Sequence, residues 1–458
     1  MTKYKLILDF INNQIFEGKI KPGEKLPSIR ELCKLFGCSK ATVIRAYDEL
    51  EENHMIYAVP QSGYYLVPNN MNDNSNYNNN IINFSEASPD SNALPYIEFQ
   101  HCLNQAINIY KDSLFNYSNP QGLQPLLKIL SKEFQKYQVF ADEDKIFITS
   151  GSQQAINILS TLPFPNGKRN VLVEQPTYYG VLKSLEYNGV TAIGTRRTYK
   201  GLDFSDLERI FKNGNIKFFY TIPRFHNPTG GSYSLEEKKQ ILKLAERYDV
   251  YIVEDDYLGD LDINSKVDPI YSYDDNSRVI YLKSYSKVFL PGLRIAALVL
   301  PKMLTNIFSK YKSCADISTS VLSQGALEIY IKSGMFDTHT RKIKKLYSER
   351  MNCLRDVILS TDKNSGIWNI PSSGFFASID IDNNINLENL INNLRMRNII
   401  IKNIKDNYLF NFNGDKLIRI GISTVNEEKI KKGIPILVDE IIKEKNNLWK
   451  TSNDFFSL

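Results

Sequence analysis

Apolar and polar positions follow two different rhythms along the chain. In the first 68 residues, apolar side chains recur at helical spacing in three stretches, and a last stretch reads as two short strands. Ser28, followed three residues later by Glu31, is a capping-box signature, and Gly37 predicts where that helix ends. The order helix, helix, tight turn, helix and hairpin is typical of a winged helix-turn-helix.

Beyond residue 82 the rhythm changes to short, β-rich apolar runs separated by helical stretches. The runs are KIFITSG, NVLVEQP, KFFYTIP, VYIVEDD, RVIYLKS and RIAALVL. Strands that alternate with helices are typical of a parallel sheet with helices on both faces. We therefore predict an α/β body in which polar residues at the strand ends carry the chemistry.

A polar segment separates these two regions. Residues 69–80 read NNMNDNSNYNNN, in which eight of twelve residues are Asn. Because such a segment cannot bury apolar surface, we predict a linker over 69–81. The chain then divides into a head, 1–68, and a body, 82–458.

Composition narrows the setting. A chain of 458 residues is too long to fold around one hydrophobic core. Its 42% hydrophobic and 23% charged residues are ordinary for a soluble protein. Its five cysteines include no CxxC pair, which indicates reduced thiols and a cytoplasmic protein. We recognise no signal peptide, membrane span or metal-ligand cluster, so we expect neither a membrane partner nor a metal.

Positive charge is concentrated where a recognition helix would meet DNA. Between Lys19 and Arg45 there are seven basic and two acidic residues, although the whole chain carries only +5. Lys40, Thr42 and Arg45 face away from the apolar stripe of their helix, which Ser39 is predicted to cap. These three side chains are therefore placed to reach phosphates or base edges.

The head resembles the GntR-type DNA-binding domain. Its segment GKIKPGEKLPSIRELCKLFGCSKATVIRAYDELEENHMI carries the hallmark G-x-x-x-P-G-x-x-L-P-S-x-R-x-L and the later S-x-x-T-V-x-x-A-Y-x-x-L. The resemblance implies that Arg30, Arg45 and the wing around Gly63 contact an operator in double-stranded DNA. Cys33 replaces a common alanine, which we interpret as a difference in packing. The predicted DNA-binding residues are Arg30, Ser39, Lys40, Thr42, Arg45 and Gly63.

In the body, the stretch SYSKVFLPGLR, residues 284–294, places Lys287 among serines and aromatic residues. An amine in a pocket at a strand end can lose its proton and form a Schiff base with an aldehyde. Hydroxyl groups, a guanidinium and the N–H groups at a helix start would hold a phosphate on that aldehyde. The phosphate-binding candidates are Ser152, Gln153, Ser284, Ser286 and Arg294.

Other strand-end residues suit a pyridine ring. Asp255, at the end of VYIVEDDY, is placed to keep a ring nitrogen protonated. Tyr257 and Asn227 are candidates for hydrogen bonds to a ring oxygen, and Tyr178 is a candidate for stacking on the ring. These residues together predict a site for a phosphorylated pyridine aldehyde.

The body resembles fold-type I aminotransferases of class I/II over about 82–445. SGSQQA, PTYYG, NPTGG, EDDY and SYSK-x6-R occur in that family's order. The resemblance implies that Lys287 forms the Schiff base with pyridoxal 5′-phosphate and that Asp255 faces its pyridine nitrogen. It also implies that Arg419 binds a substrate or effector carboxylate, and that Tyr117 crosses to the cofactor of a partner subunit.

Head, linker and body together resemble the MocR/PdxR regulators. The resemblance implies a winged helix-turn-helix joined to an aminotransferase-like domain with a large, mostly parallel sheet and a smaller α+β domain. It further implies a head-to-tail homodimer on DNA that senses pyridoxal phosphate or an amino compound joined to it. Movement of the lobes of the body would then change the spacing of the two heads.

Two other functions remain open. The body retains the residues expected for transamination, so the chain is alternatively an active aminotransferase with a DNA-binding head. A dimerisation module without cofactor is the third hypothesis, and the presence of Lys287, Asp255 and Arg294 argues against it. Gly180 stands where members that sense γ-aminobutyrate carry arginine, which favours pyridoxal phosphate itself or an α-amino acid as the effector.

Overall fold

The structure, a computed structural model, separates into two compact units, 1–80 and 81–458. It describes residues 3–21, 23–52, 55–59, 62–67, 81–263, 268–362, 364–414 and 416–455. Residues 69–80 of the predicted linker lie outside the described residues.

The head is built from three helices and one hairpin, as predicted. They are α1 (Lys3–Phe16), α2 (Ile29–Phe36), α3 (Lys40–Glu52), β1 (Ile56–Val59) and β2 (Gly63–Leu66). The predicted capping box at Ser28 and Glu31 is present, and Gly37, with φ +57°, ends α2 in the left-handed conformation. The apolar stripe of α3 is buried with α1 and α2 in one small core, which explains why this short unit packs by itself.

The body alternates helices and strands. Its helices are α4 (Tyr96–Tyr110), α5 (Gln124–Gln135), α6 (Ser152–Thr161), α7 (Tyr179–Tyr187), α8 (Phe204–Asn213), α9 (Leu235–Arg247), α10 (Lys302–Asp316), α11 (Val321–Lys332), α12 (Met335–Thr361), α13 (Leu387–Met396) and α14 (Glu427–Phe455). Its strands are β3 (Ile82–Asn83), β4 (Ile146–Thr149), β5 (Asn170–Gln175), β6 (Ala192–Thr198), β7 (Gly201–Leu202), β8 (Ile216–Thr221), β9 (Tyr251–Asp255), β10 (Val279–Ser284), β11 (Ala296–Val299), β12 (Ile367–Asn369), β13 (Phe376–Asp380), β14 (Ile399–Ile400), β15 (Lys402–Asn403) and β16 (Leu417–Gly421).

The large sheet confirms the predicted, mostly parallel architecture. Its eight strands follow the order β4-β11-β10-β9-β8-β5-β6-β7. Strands β6, β5, β8, β9 and β10 are parallel, whereas β11 runs antiparallel to both of its neighbours and β7 runs antiparallel to β6. The carboxyl ends of the five parallel strands therefore meet at one edge, where loops can form a site.

A smaller α+β domain follows the large sheet. It contains the antiparallel sheet β12-β13-β16-β15 and the parallel pair β14-β3. Its apolar core includes side chains of α12, α13 and α14. No helix in the described part of the chain is long and apolar enough to span a membrane.

A buried carboxylate ties several strands together near the site. Glu174 of β5 accepts hydrogen bonds from Arg197 of β6 (2.6 Å), Thr221 of β8 (2.7 Å) and the amide of Ile222 (3.1 Å). His226 lies 3.1 Å from the same carboxylate. Burial alone would raise the pKa of Glu174, but the Arg197 guanidinium and the hydrogen bonds hold it well below its ordinary value.

Replacing this carboxylate by an amide should destabilise the body strongly. In Glu174→Gln the buried Arg197 loses its counter-charge, so we expect the free energy of unfolding to fall by about 3–5 kcal/mol. Urea denaturation, with Glu349→Gln as the control, measures the difference. Glu349 is exposed on α12, and its replacement should change stability by less than about 0.5 kcal/mol. Equal denaturation midpoints in the two variants would contradict the structural role of Glu174.

Candidate functional site

The head exposes predicted DNA-binding cations on α2 and α3. Arg30, Lys40 and Arg45 are exposed, and the Arg45 guanidinium lies 5.1 Å from the centre of the Tyr4 ring. As predicted, Ser39 caps α3, since its hydroxyl oxygen accepts a hydrogen bond from the Thr42 amide (3.3 Å). The exposed cations are therefore free of the head's core and remain available to phosphates.

The hairpin turn depends on a glycine. Gly63 has φ +126°, and a Cβ there would lie 3.0 Å from Cε of Lys25. The glycine thus lets the hairpin approach the strand-like segment at Lys25, which pairs with Tyr65. Contacts of the predicted residues with DNA stay a prediction.

In the body, one cavity of about 470 Å³ opens at the carboxyl edge of the large sheet. Eleven of the twelve predicted cofactor and effector residues line it. They are Ser152, Gln153, Tyr178, Asn227, Asp255, Tyr257, Ser284, Ser286, Lys287, Arg294 and Arg419. Tyr117 is not among the lining residues, and it is 90% exposed in the single chain. Its predicted contact with a partner's cofactor stays a prediction.

Lys287 follows β10 and is held by a neutral partner. Its Nζ donates a hydrogen bond to the backbone oxygen of Ala87 at 2.8 Å. Burial, followed by the positive charges of Arg419 and Arg294, lowers the pKa of Lys287 to about 8. A larger fraction of this amine is therefore neutral near physiological pH than for an ordinary lysine, which makes it a better nucleophile.

Asp255 ends β9 and has one satisfied and one unsatisfied oxygen. Its Oδ2 accepts a hydrogen bond from the Tyr220 hydroxyl at 2.6 Å, while its buried Oδ1 has no partner among the residues that the structure describes. Burial raises the pKa of Asp255 to about 7, and the Tyr220 bond opposes that rise. Because buried polar atoms in proteins are nearly always paired, the free oxygen indicates a place for a ligand donor.

An anion-binding corner forms where α6 begins. Gly151 has φ +77°, and a Cβ there would lie 2.5 Å from Nη2 of Arg294. Arg294 itself adopts the left-handed conformation, with φ +52°, and donates to the Ser286 hydroxyl at 3.2 Å. The glycine thus brings a guanidinium against the free N–H groups of a helix start, an arrangement that suits a phosphate.

The wall beside this corner leaves no room for a side chain at position 180. Gln153 donates to the Gly180 backbone oxygen at 2.9 Å and accepts from the Tyr178 hydroxyl at 3.3 Å. A Cβ on Gly180 would lie 2.5 Å from both side chains. Any larger residue at 180 would therefore displace Tyr178, the predicted stacking residue.

On the opposite wall, Arg419 extends from β16 of the smaller domain. Its Nη2 donates to the backbone oxygen of Ser85 at 2.5 Å, and within the described part of the chain its buried Nε has no partner. The guanidinium lies 4.6 Å from the centre of the Phe376 ring. A guanidinium donor in a cavity can bind a carboxylate, and the role of Arg419 stays a prediction.

Sequence reasoning missed several residues of the cavity. One is Tyr220, which does not line the cavity but hydrogen-bonds to Asp255. The missed lining residues are Ser85, Glu86, Ala87, Ser88, Pro89, Tyr179, Ile222, Pro291, Lys402, Ile404, Asp406 and Asn407. Tyr220 lies on β8 beside β9, so its strand position was a usable signal. Asn407 is instead held at the cavity by a contact distant in sequence, the hydrogen bond from its side chain to the Thr177 backbone oxygen (2.7 Å).

Both parts of the chain match known families. Residues 3–66 match the family described as bacterial regulatory proteins, gntR family. Residues 79–437, more than half of the chain, match aminotransferase class I and II.

Individual relatives give the same picture. The chain is 44% identical over 445 residues to an uncharacterized HTH-type transcriptional regulator YcxD of Bacillus subtilis, covering 96% of this chain and 100% of that protein. It is 24% identical to the HTH-type transcriptional regulator NorG of Staphylococcus aureus, covering 90% and 98%. A kynurenine aminotransferase of Pyrococcus horikoshii, crystallised with PMP, matches the fold with a TM-score of 0.74 at 27% identity, covering 80% of this chain and 91% of that one. The chain therefore belongs to the MocR/PdxR-like transcriptional regulators, in which a gntR-family DNA-binding head is joined to an aminotransferase class I and II body.

Proposed function

We propose that this regulator binds pyridoxal 5′-phosphate in the body cavity and that occupancy of the cavity changes its binding to DNA. The observation that carries the proposal is the unpartnered, buried Oδ1 of Asp255 in the same cavity as the buried amine of Lys287. A protonated pyridine nitrogen would satisfy the first group, and an aldehyde would react with the second. Few other small molecules carry both a pyridine nitrogen and an aldehyde.

The remaining residues fit the same ligand. The Gly151–Arg294 corner, with Ser284 and Ser286, suits the phosphate, while Tyr178 offers a face to the ring. When bound, pyridoxal phosphate supplies an aldehyde that links to an amine and a ring that withdraws electrons.

Each protein group then has a definite task. Lys287 would present an amine that loses its proton more readily than an ordinary lysine, and Asp255 would accept the ring N–H while Tyr220 fixes the orientation of Asp255. Tyr257 donates to the backbone oxygen of Phe225 at 2.7 Å, which orients the tyrosine at the edge of the cavity beside Asn227.

The effector follows from the charges around the cofactor. Arg419 has a buried Nε free for a carboxylate. The arginine of members that sense γ-aminobutyrate, which would give a second anion contact, is replaced here by Gly180. An arginine at this position would displace Tyr178. We therefore propose pyridoxal phosphate itself, or an α-amino acid bound through Arg419, as the signal, and a homodimer on an operator as its target.

An active aminotransferase is the second candidate function. The retained carboxylate-binding arginine favours it, because a sensor of the cofactor alone has no need for Arg419. Incubation of the purified chain with amino acids and a keto acid separates the two. Sustained formation of the new amino acid would indicate the enzyme, whereas pyridoxal phosphate-dependent DNA binding without turnover would indicate the sensor.

Removing the Lys287 amine should abolish covalent cofactor binding. We expect the purified full chain to develop a visible absorbance band on titration with pyridoxal phosphate, and Lys287→Ala to lack it. Lys302→Ala, which changes an exposed lysine outside the cavity, serves as the control and should keep the band. Operator affinity measured by fluorescence anisotropy should respond to the cofactor in the wild type and in Lys302→Ala, but not in Lys287→Ala. An unchanged operator affinity in the cofactor-loaded wild type would contradict sensing.

Removing the Tyr220 hydroxyl should weaken the cofactor site in a pH-dependent way. A hydrogen bond to a charged group contributes about 1.5–3 kcal/mol, so Tyr220→Phe should bind pyridoxal phosphate roughly tenfold to a hundredfold more weakly. Loss of the bond also raises the pKa of Asp255 above about 7, so affinity should recover only at higher pH.

Tyr281→Phe is the matched control for this variant. Tyr281 lies on β10, the strand next to β9, and its hydroxyl donates a hydrogen bond to Asp256 at 2.6 Å. Neither residue lines the cavity. Its cofactor affinity and pH profile should match the wild type. If both variants lose affinity equally, Tyr220 acts on the fold and not on Asp255.

We expect a substitution in the head to weaken DNA binding without affecting cofactor binding. Arg45→Ala should weaken binding to a duplex selected from genomic fragments by about 1–3 kcal/mol and leave the visible cofactor band intact. Lys5→Ala changes an exposed lysine on α1 outside the predicted contact set and should bind nearly as the wild type does. Anisotropy titrations at several salt concentrations measure both. Equal affinity of Arg45→Ala and wild type would remove Arg45 from the DNA contact.

A further inference from the structure

The segment 81–90, here called the strap, runs along the cofactor cavity between two firm attachments. At its start, Phe84 donates to the Ile400 backbone oxygen (2.8 Å) and accepts from the Gly421 amide (2.7 Å). At its end, the buried Asp90 pairs with Arg350 at 2.5 Å, and its amide donates to the Tyr347 hydroxyl. The residues between these attachments, 85–89, line the cavity.

Backbone oxygens in the middle of the strap accept hydrogen bonds from the two cations that a ligand would need. The Ala87 backbone oxygen accepts from Lys287 at 2.8 Å, and the Ser85 backbone oxygen accepts from Arg419 at 2.5 Å. Both cations are largely buried, and a buried cation requires acceptors. Without a ligand, the strap's carbonyl groups provide them.

Ligand and strap therefore compete for the same donors. Once an aldehyde has linked to the Lys287 nitrogen, Ala87 loses its donor, and a carboxylate on Arg419 removes the donor of Ser85. A buried carbonyl that loses its partner is destabilised where it stands and is better solvated after moving outward. Cofactor alone releases one contact, and cofactor with a carboxylate effector releases both.

In sequence, the strap lies between the head and the rest of the body. The strap starts directly after residue 80, so it is the first part of the body that the chain enters from the head. We propose that the strap is displaced by ligand and thereby transmits occupancy of the cavity to the chain that leads to the head. This inference rests on the proposed function, and it adds the element that carries the signal.

The strap contains its own reporter. Glu86 is exposed, and a glutamate-specific protease that cuts after it separates the head, with residues 81–86, from the rest of the body. Cleavage of a native chain follows the population of the opened segment when opening is fast. The cleavage rate of the full chain at Glu86 therefore measures displacement of the strap, and Glu86→Gln identifies the fragment by abolishing it.

Two substitutions of Lys287 separate the strap from cofactor chemistry. Lys287→Arg keeps a donor for the Ala87 oxygen and Lys287→Met removes it, while neither side chain can link to the aldehyde. Without cofactor, we expect Lys287→Met to be cut at least about tenfold faster than the wild type, and Lys287→Arg to be cut as slowly as the wild type. Cofactor should accelerate cleavage of the wild type alone. Arg419→Met and Arg419→Lys repeat the comparison at the Ser85 contact.

The outcomes distinguish the two proposals. Equal cleavage of the Met and Arg variants at both positions, with melting temperatures like the wild type, would overturn the strap inference. So would a wild type that forms the visible band yet is cut no faster. A wild type that forms no band would refute the proposed cofactor, and the comparison of variants without cofactor would still decide whether the two cations hold the strap.

Discussion

The site depends on burying an amine and a carboxyl group in one cavity, each with a neutral hydrogen-bond partner. Lys287 is held by the Ala87 carbonyl and Asp255 by the Tyr220 hydroxyl, both of which are neutral. Burial penalises the charged forms, so the pKa of the lysine falls to about 8 and that of the aspartate rises to about 7. Both pKa values therefore lie closer to neutrality than those of an ordinary lysine and an ordinary aspartate.

The rest of the body makes this costly arrangement possible. Parallel strands deliver Asp255 and Ser284 to the same edge, and the Glu174 network joins β5, β6 and β8 beneath the loop that carries Asn227. Gly151 and Gly180 keep side chains out of the space that Arg294 and Tyr178 occupy. Groups that extend from such a frame are held in a defined geometry before a ligand binds.

Regulation requires that a change in the cavity reach the head. Residues 85–89 line the cavity, and they belong to the first segment of the body after the head. Backbone carbonyl groups are suited to such competition, since they satisfy a cation without neutralising it and give way to a stronger acceptor. Under the proposed function, the sensing cavity and the strap would share two hydrogen bonds.

The sequence by itself determined the local structure of this protein. Ser28, Glu31 and Gly37 set the bounds of α2 because capping is decided by a few neighbouring residues, and the strand-end residues were found because a parallel sheet brings such ends to one edge. Family motifs supplied Arg419, whose partners periodicity alone does not reveal. Only the tertiary structure decided which carbonyl groups hold Lys287 and Arg419, that Tyr220 anchors Asp255, and that the strap crosses the cavity. These contacts join residues up to 334 positions apart, and they depend on pairing between distant strands and domains that no local pattern encodes.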